Sequence, residues 1–289
     1  NALGTLYNMT PPTQGIVALA ILGIAERLHL ADLEPESADY VHAIVEATKA
    51  AFLEIRDRHV TDPAYMKVEP QSLLDSAHLD ALAAGIDMRR ARPWGGSSKP
   101  GGTIWMGVID SAGRAASFIQ SIYHEFGSGV VLSQTHVNWQ NRGCSFALDG
   151  PSINALAPGK KPFHTLNPAL ARFADGRTLV YGTMGGDGQP QTQAAVFTRY
   201  AVHRQGLQRA VSAPRWLLGR TWGSMSESLK LESRFPAETI EELRRRGHDV
   251  EVVGEFDETM GHAGALVRRT DGALEGAFDP RSDGCVAGF

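Results

Sequence analysis

Residues 92–123 read RPWGGSSKPGGTIWMGVIDSAGRAASFIQSIY, and this stretch separates two rhythms in the chain. Its first eleven residues, Arg92 to Gly102, hold four Gly, two Pro and two Ser. That composition supports no packed element, so a loop or linker is predicted there. From Thr103 the pattern becomes strand-like. TIWMGVID (103–110), a turn at SAG (111–113) and RAASFIQSIY (114–123) predict an antiparallel hairpin.

On the N-terminal side, residues 1 to about 90 read as helical. Ile16 to Leu30 is a mostly apolar helix, and Val41, Ile44, Val45, Thr48, Phe52 and Ile55 recur at helical spacing across a second. Ser37, just after Pro35, is placed to cap that second helix. On the C-terminal side, HVNWQNRGCSFAL (136–148) and the pair LNPALARF and RTLVYGTM, joined by ADG (174–176), predict further strands. Residues 191–203 and 237–246 predict helices, and VEVVGEF, GALVRR and GALEGAF return to strands. Strands that cluster while helices fall before and between them point to an α+β fold with largely antiparallel sheets.

The 289 residues carry 28 Lys+Arg against 32 Asp+Glu, a net charge of −4, and are 43% hydrophobic. These are the proportions of a globular protein with a substantial core. A mildly acidic chain without a basic block speaks against nucleic-acid binding by phosphate neutralisation. Arg244 to Arg246 are predicted as a solvated last helical turn. The longest uncharged apolar run, Gly15 to Ala25, is too short to span a bilayer. Cys144 and Cys285 form no CxxC pair, Cys144 is predicted as a small buried residue, and none of the ten histidines falls at HxxxH spacing, so no metal site and no cofactor are expected. The chain begins at Asn1 and is expected to be a fragment or a processed product. A cytoplasmic location is expected, with the periplasm as the alternative because any signal peptide would lie outside the chain.

Three features carry chemistry. Gly101-Gly102-Thr103 joins a flexible loop to a strand. A threonine hydroxyl needs a base beside it, and cutting the chain just before the residue makes its own α-amine that base. On local grounds alone, Gly-Gly-Thr being a common tripeptide, Thr103 reads first as a β-branched strand residue after a glycine turn. GTMGGDGQPQ (182–191), between a strand and a helix with Pro190 in its first turn, aims backbone N–H groups at a cavity and suits an oxyanion, or is a plain capped turn. Between these two lies a polar stretch with Ser121, Tyr123, His124, Asn141, Arg142, His164 and Thr165. Arg142 and His124 would attract an anion there, or are a surface arginine and a hydrogen-bonded histidine. No GxSxG elbow supports a serine hydrolase.

Taken in order, these motifs resemble the γ-glutamyltranspeptidase family of N-terminal nucleophile hydrolases. NMTPPTQG (8–15) is similar to the family's PPSSGG-like segment, and residues 103–129 to the start of its small subunit. GKKPFHTLNPAL (159–170) is similar to the RPLSSMSP-like motif, GTMGGDGQPQ to the GSPGG turn, and DPRSDGCVAGF (279–289) to the C-terminal signature. The resemblance implies a four-layer αββα sandwich. Residues 1–102 would be the C-terminal part of the large subunit and 103–289 the small subunit, formed by autocleavage between Gly102 and Thr103. Thr103 would be the nucleophile, Gly185 and Gly186 the oxyanion donors, and Ser121 the support of the nucleophile's hydroxyl. His164 and Thr165 would stand at the two serines that hold the substrate carboxylate.

Three departures from the family bear on specificity. Its Thr-Thr-His start is here Thr103-Ile104-Trp105, its asparagine is Tyr123, and the aspartate that meets a γ-glutamyl ammonium aligns with Ser145. A buried ammonium without a carboxylate is costly, and Arg142 adds positive charge near the same position. Such a pocket prefers a carboxylate without an amine. Asn141, Tyr123, Arg142 and Ser145 therefore join His164 and Thr165 as predicted substrate contacts. The strand IQSIYHEFGSG with WQNRG and PFHTLNPALAR is similar to the branch of the family that includes oxamate amidohydrolase and enzymes labelled cephalosporin acylases. The expectation is hydrolysis of a small carboxylate-bearing amide such as oxamate through an acyl-enzyme. A γ-glutamyltransferase or glutathione hydrolase, a cephalosporin-acylase-like amidase and a noncatalytic binding relative are the alternatives. The expected partners are the small-molecule substrate and the other part of its own proenzyme, in a heterodimer that admits a further dimer, with neither nucleic acid nor membrane.

Overall fold

The computed structural model describes residues 3–96, 102–221 and 224–289. Part of the predicted linker, 97–101 with Gly101, lies outside the described residues. The elements begin with β1 (Gly4–Tyr7), α1 (Gly15–Arg27) and α2 (Ala38–Ala50), the last running on through a wide turn at Ala51–Arg56 into α3 (Asp57–His59) and then α4 (Ser76–Ala84). Next come β2 (Gly102–Ile109), β3 (Ala115–Tyr123), β4 (Ala169–Phe173), β5 (Thr178–Thr183), α5 (Gln189–Phe197) and α6 (Leu207–Ser212). The chain closes with β6 (Trp216–Leu218), β7 (Leu229–Glu232), α7 (Ala237–Arg245), β8 (Val250–Val253), β9 (Ala263–Arg268) and β10 (Leu274–Phe278).

Five strands in the order β1-β4-β5-β9-β10 make one antiparallel sheet. Its one face packs on α5 and α6 through Leu179, Tyr181, Phe197, Val211 and Val267, all buried. Its other face receives the hairpin β2–β3, with Trp105, Ile119 and Val180 buried between the two sheets. A second core joins α1 and α2 to the three-stranded sheet β6-β7-β8, in which only β7–β8 is parallel. The class is α+β with stacked, largely antiparallel sheets, as the rhythm of the sequence predicts.

The local reasons are plain. Ser37 does cap α2, its side chain accepting the Tyr40 N–H at 3.2 Å. Pro190 sits in the first turn of α5, where its missing N–H costs nothing. In β2 the burial alternates, Trp105 facing inward while Ile104, Met106 and Val108 face outward. The indole lies on Gly182 and Gly264, whose missing side chains make room for it, because an added Cβ would stand within 2.1 and 2.3 Å of the ring. Outward-facing Ile104, Met106, Val108 and Phe118 leave the far side of the hairpin apolar and exposed, the face on which the fourth layer of an αββα sandwich would lie.

Four expectations need correction. The N-terminal part is not wholly helical, since β1 pairs with β4 at the sheet edge. Residues 136–148 form no strand but a loop with isolated bridges and a single 3₁₀ turn at Arg142–Ser145. Polar side chains there serve the local backbone, Gln140 accepting the Arg142 N–H and Asn141 Oδ1 the His124 N–H at 3.1 Å, in competition with ladder pairing. Arg246 is not solvated: it is held by Glu242 at 2.8 Å, by Asp39 and by the Met88 carbonyl. Cys144 is exposed, because the 3₁₀ turn directs Arg142 and Ser145 inward instead.

Candidate active site

Thr103 lies where the β2–β3 register slips between Gly102 and Ile104. A bulge there releases one residue from the ladder and re-aims its side chain. The Thr103 hydroxyl oxygen is buried and has no hydrogen-bond partner among the described residues. Immediately before it, the Gly102 carbonyl accepts a short hydrogen bond from the Ser121 hydroxyl, and Ser121 Oγ in turn accepts the Tyr123 N–H at 2.8 Å. With the chain continuous across Gly102–Thr103, Ser121 polarises the carbonyl that precedes the threonine. The hydroxyl and the peptide bond it would attack are thus prepared by one strand pair.

The glycine turn predicted to receive an oxyanion follows β5. Gly185 has φ +121° and Gly186 φ +53°, conformations that side-chain-bearing residues rarely adopt. Gly188 donates to the Gly185 carbonyl at 2.7 Å, which closes the turn onto α5. Behind it, Gly261 stands 4.0 Å from where a Gly185 Cβ would be. The Gly261 carbonyl accepts Arg215 Nη1 at 2.8 Å, and Arg215 pairs with Asp279 at 2.7 Å. Arg281 joins Asp279 to Glu232 at 2.9 and 2.6 Å, all of these side chains fully buried. The DPRSDGC segment is therefore an ionic brace for the turn.

Gln14 of NMTPPTQG is a residue that sequence reasoning quoted without giving it a task. Its Nε2 donates to the Gly186 carbonyl at 2.9 Å and to the Thr165 carbonyl at 3.3 Å, which couples the glycine turn to the polar shelf. The shelf is tied to the same segment, as His164 N–H donates to the Pro12 carbonyl at 3.1 Å.

A cavity of about 380 Å³ is lined by Tyr123, Ser145, Thr165 and Asp187, with Arg56 and Phe163. Arg142 lies beside these groups, 5% exposed, so it is no surface arginine. Its guanidinium stacks 4.3 Å from the centre of the Tyr123 ring and donates to Thr165 Oγ1 at 3.0 Å. With that oxygen accepting, the Thr165 O–H remains available as a donor. Arg142 Nη2 is buried without a partner among the described residues. Burial pulls the Arg142 pKa down to about 10, still cationic at neutral pH. Tyr123, at φ +77°, is held un-ionised by burial, which raises its pKa. Of the predicted contacts, Tyr123, Ser145 and Thr165 line the cavity, Arg142 and His164 are not among its lining residues, and Asn141 turns to the loop, accepting the His124 N–H. His124 stacks on the outer side of Tyr123.

Sequence reasoning also missed Asp187 and Arg56, which line the cavity 3.5 Å apart. Asp187 stands in the turn that opens α5, where an acid is ordinary, so nothing local marked it as a cavity residue.

His164 is lowered to about 4 from 6.5, first by burial and then by Arg142. Because the folded value lies below the unfolded one, the unfolded chain binds more protons between pH 6.5 and 4. Stability contributed by neutral His164 is complete above 6.5 and is lost as the pH falls through that window. Thermal melts of a His164→Gln variant should therefore lose less stability on acidification than the parent, by up to about 1.4 kcal/mol per pH unit. Parallel acid profiles for the two proteins would contradict this.

Among the described residues, none of the groups around Thr103 belongs to a cluster suited to a metal, and no helix is long and apolar enough to cross a membrane.

A family model described as Gamma-glutamyltranspeptidase matches residues 3–289. The oxamate amidohydrolase proenzyme of Klebsiella pneumoniae is 62% identical over 99% of the chain and 54% of its own length. The glutathione hydrolase-like YwrD proenzyme of Bacillus subtilis is 42% identical over 99% of the chain and 54% of its own length. Among solved structures, the cephalosporin acylase from Bacillus halodurans superposes with a TM-score of 0.82 at 33% identity, covering 98% of this chain and 50% of that one. The chain thus spans about half the length of these relatives.

Proposed function

Because the chain belongs to the γ-glutamyltranspeptidase family, we propose that it is the part of an autoprocessed amidohydrolase that carries the nucleophile, acting on a small amide that bears a carboxylate. The observation that carries this reading is the buried, unpartnered Thr103 hydroxyl directly after a carbonyl that Ser121 polarises.

In the precursor, Thr103 Oγ adds to the Gly102 carbonyl carbon, the peptide C–N bond breaks, and an ester is left that water hydrolyses. The products are a Gly102 carboxylate and a free Thr103 α-amine, so residues to 102 and from 103 become two subunits of one heterodimer. A free α-amine titrates near ~7.7–8, which suits a base at neutral pH. In turnover it takes the hydroxyl proton while Thr103 Oγ attacks the substrate amide. The N–H groups of Gly185 and Gly186 receive the oxyanion, ammonia or an amine departs with the proton, and water cleaves the acyl-enzyme.

Substrate choice follows from charge. Arg142 Nη2 and the Thr165 O–H favour a carboxylate, while Arg56 is already paired with Asp57 at 2.7 Å and faces Asp187. The relative named for oxamate, an amide with a carboxylate and no amine, fits that pattern. A γ-glutamyl substrate would need an acid for its ammonium. Asp187 lines the cavity but already faces Arg56 at 3.5 Å, which offsets its charge.

Ammonia release measured on oxamate and on γ-glutamyl amides with the full-length protein tests the proposal. Turnover of oxamate should exceed that of the γ-glutamyl amides. The reverse ratio would move the assignment to a glutathione-hydrolase type, and no turnover of either by a cleaved protein would refute an amidohydrolase of this charge preference.

A further inference from the structure

Apart from the active site, the core that joins α1 and α2 to the sheet β6-β7-β8 holds a cluster of polar groups with no part in the reaction. His42 and Glu46 lie one helical turn apart on α2, hence on one face. His248 follows α7, and folding brings it beside His42 across 206 residues, Nε2 to Nδ1 at 2.8 Å. The three side chains are 0%, 3% and 6% exposed, and one ligand atom from each lies within 4.8 Å of the other two. We propose that His42, Glu46 and His248 form a binding site for a divalent transition-metal ion of the zinc class, tying α2 to the turn after α7.

The arrangement is already partly set for this. His42 Nε2 lies 2.9 Å from the Asp87 carbonyl and must carry its proton there, so Nδ1 presents a lone pair. A second-nitrogen bond of this kind orients ligating histidines in metal proteins. Glu46 accepts Lys49 Nζ at 2.7 Å and the Arg92 N–H at 3.1 Å. A carboxylate has roughly four lone-pair sites, so capacity for a cation remains. Two imidazoles and one carboxylate select zinc, nickel or copper over calcium and magnesium, which prefer all-oxygen cages. A cavity of about 540 Å³ lined by Glu46, Asp87 and Arg92 borders the carboxylate side of the cluster.

Without the ion, the proton between the rings sits on His248 Nε2. On binding it moves to His248 Nδ1, with no net proton released. The two nitrogens then part to roughly 3.3 Å, the separation set by tetrahedral metal–nitrogen bonds of about 2.05 Å. Lys49 stays as a competing cation and keeps the affinity below that of a purely anionic site.

The test uses the full-length protein stripped with a chelator and titrated with zinc chloride by calorimetry. One saturable equivalent is expected, with a rise in melting temperature. Changing a group that merely orients a ligand costs roughly 10- to 100-fold in affinity. His42→Gln and His248→Gln remove ligands and should each cost at least the upper figure. Unchanged affinity and stoichiometry in either variant would assign the binding to surface histidines and overturn the site. Cobalt(II) spectra of the unsubstituted protein give a reading that needs no variant to fold. Intense visible bands of a low-coordinate, nitrogen-ligated ion support the site, and the weak spectrum of aqueous cobalt overturns it.

Discussion

Replacing Thr103 by alanine should leave the full-length protein as a single uncut polypeptide without amidase activity. The hydroxyl is asked to do two jobs, first on its own preceding carbonyl and then on substrate, so its loss removes both. Losing a nucleophile of this kind lowers turnover by about three to six orders of magnitude, the residue being what binding and oxyanion stabilisation supply alone. Intact-mass spectrometry reads the first job and ammonia release the second. Thr103→Ser keeps a hydroxyl and should restore cleavage at the same bond, at a lower rate because the β-methyl no longer fixes the rotamer. The geometry favours cleavage over a passive strand role, since Ser121 Oγ is already hydrogen-bonded to the Gly102 carbonyl. Ser121→Ala should accordingly slow maturation without altering the site of the cut. A Thr103→Ala protein that still appears as two chains, or that keeps parental turnover, would remove the basis of the functional assignment.

How far the sequence could be read depends on the range of the interactions involved. The hairpin from Gly102 to Tyr123 was legible because alternation and a turn signal are local, and both survive in the fold. The glycines of 182–188 were legible as a turn for the same reason, and their positive φ values explain why glycine stands there. The loop 136–148 was not, since its apolar and β-prone residues resemble a strand while its Asn and Gln side chains hold the backbone elsewhere. Arg142 illustrates a second limit. Nothing local distinguishes a surface arginine from one stacked on Tyr123 and bonded to Thr165, because both partners come from distant segments. Gln14 and Asp187 escaped for that same reason, and so did the pairing of His42 with His248.

Arg142→Met tests whether the charge of this pocket sets the substrate class, as proposed. On the proposed reading, a guanidinium whose Nη2 is buried and without a partner among the described residues would donate a charge-assisted hydrogen bond to a bound carboxylate, worth about 1.5–3 kcal/mol or roughly 10- to 150-fold in affinity. The KM for oxamate should rise by that factor, while kcat changes less, since Thr103, Gly185 and Gly186 are untouched. Methionine keeps an unbranched apolar stem but removes the guanidinium that stacks on the Tyr123 ring, so a melt close to the parent's separates lost recognition from lost packing. Arg142→Lys should recover little, because an ammonium cannot both stack on the ring and hold Thr165 in the planar geometry of the fork. The converse change is Ser145→Asp, which puts an acid at the rim of the cavity. Paired with Arg142→Met, it removes a cation and adds the partner that an α-ammonium requires, so the ratio of γ-glutamyl to oxamate turnover should rise above that of either single variant. If Arg142→Met left the KM for oxamate unchanged, the charge of this pocket would not be what selects the substrate.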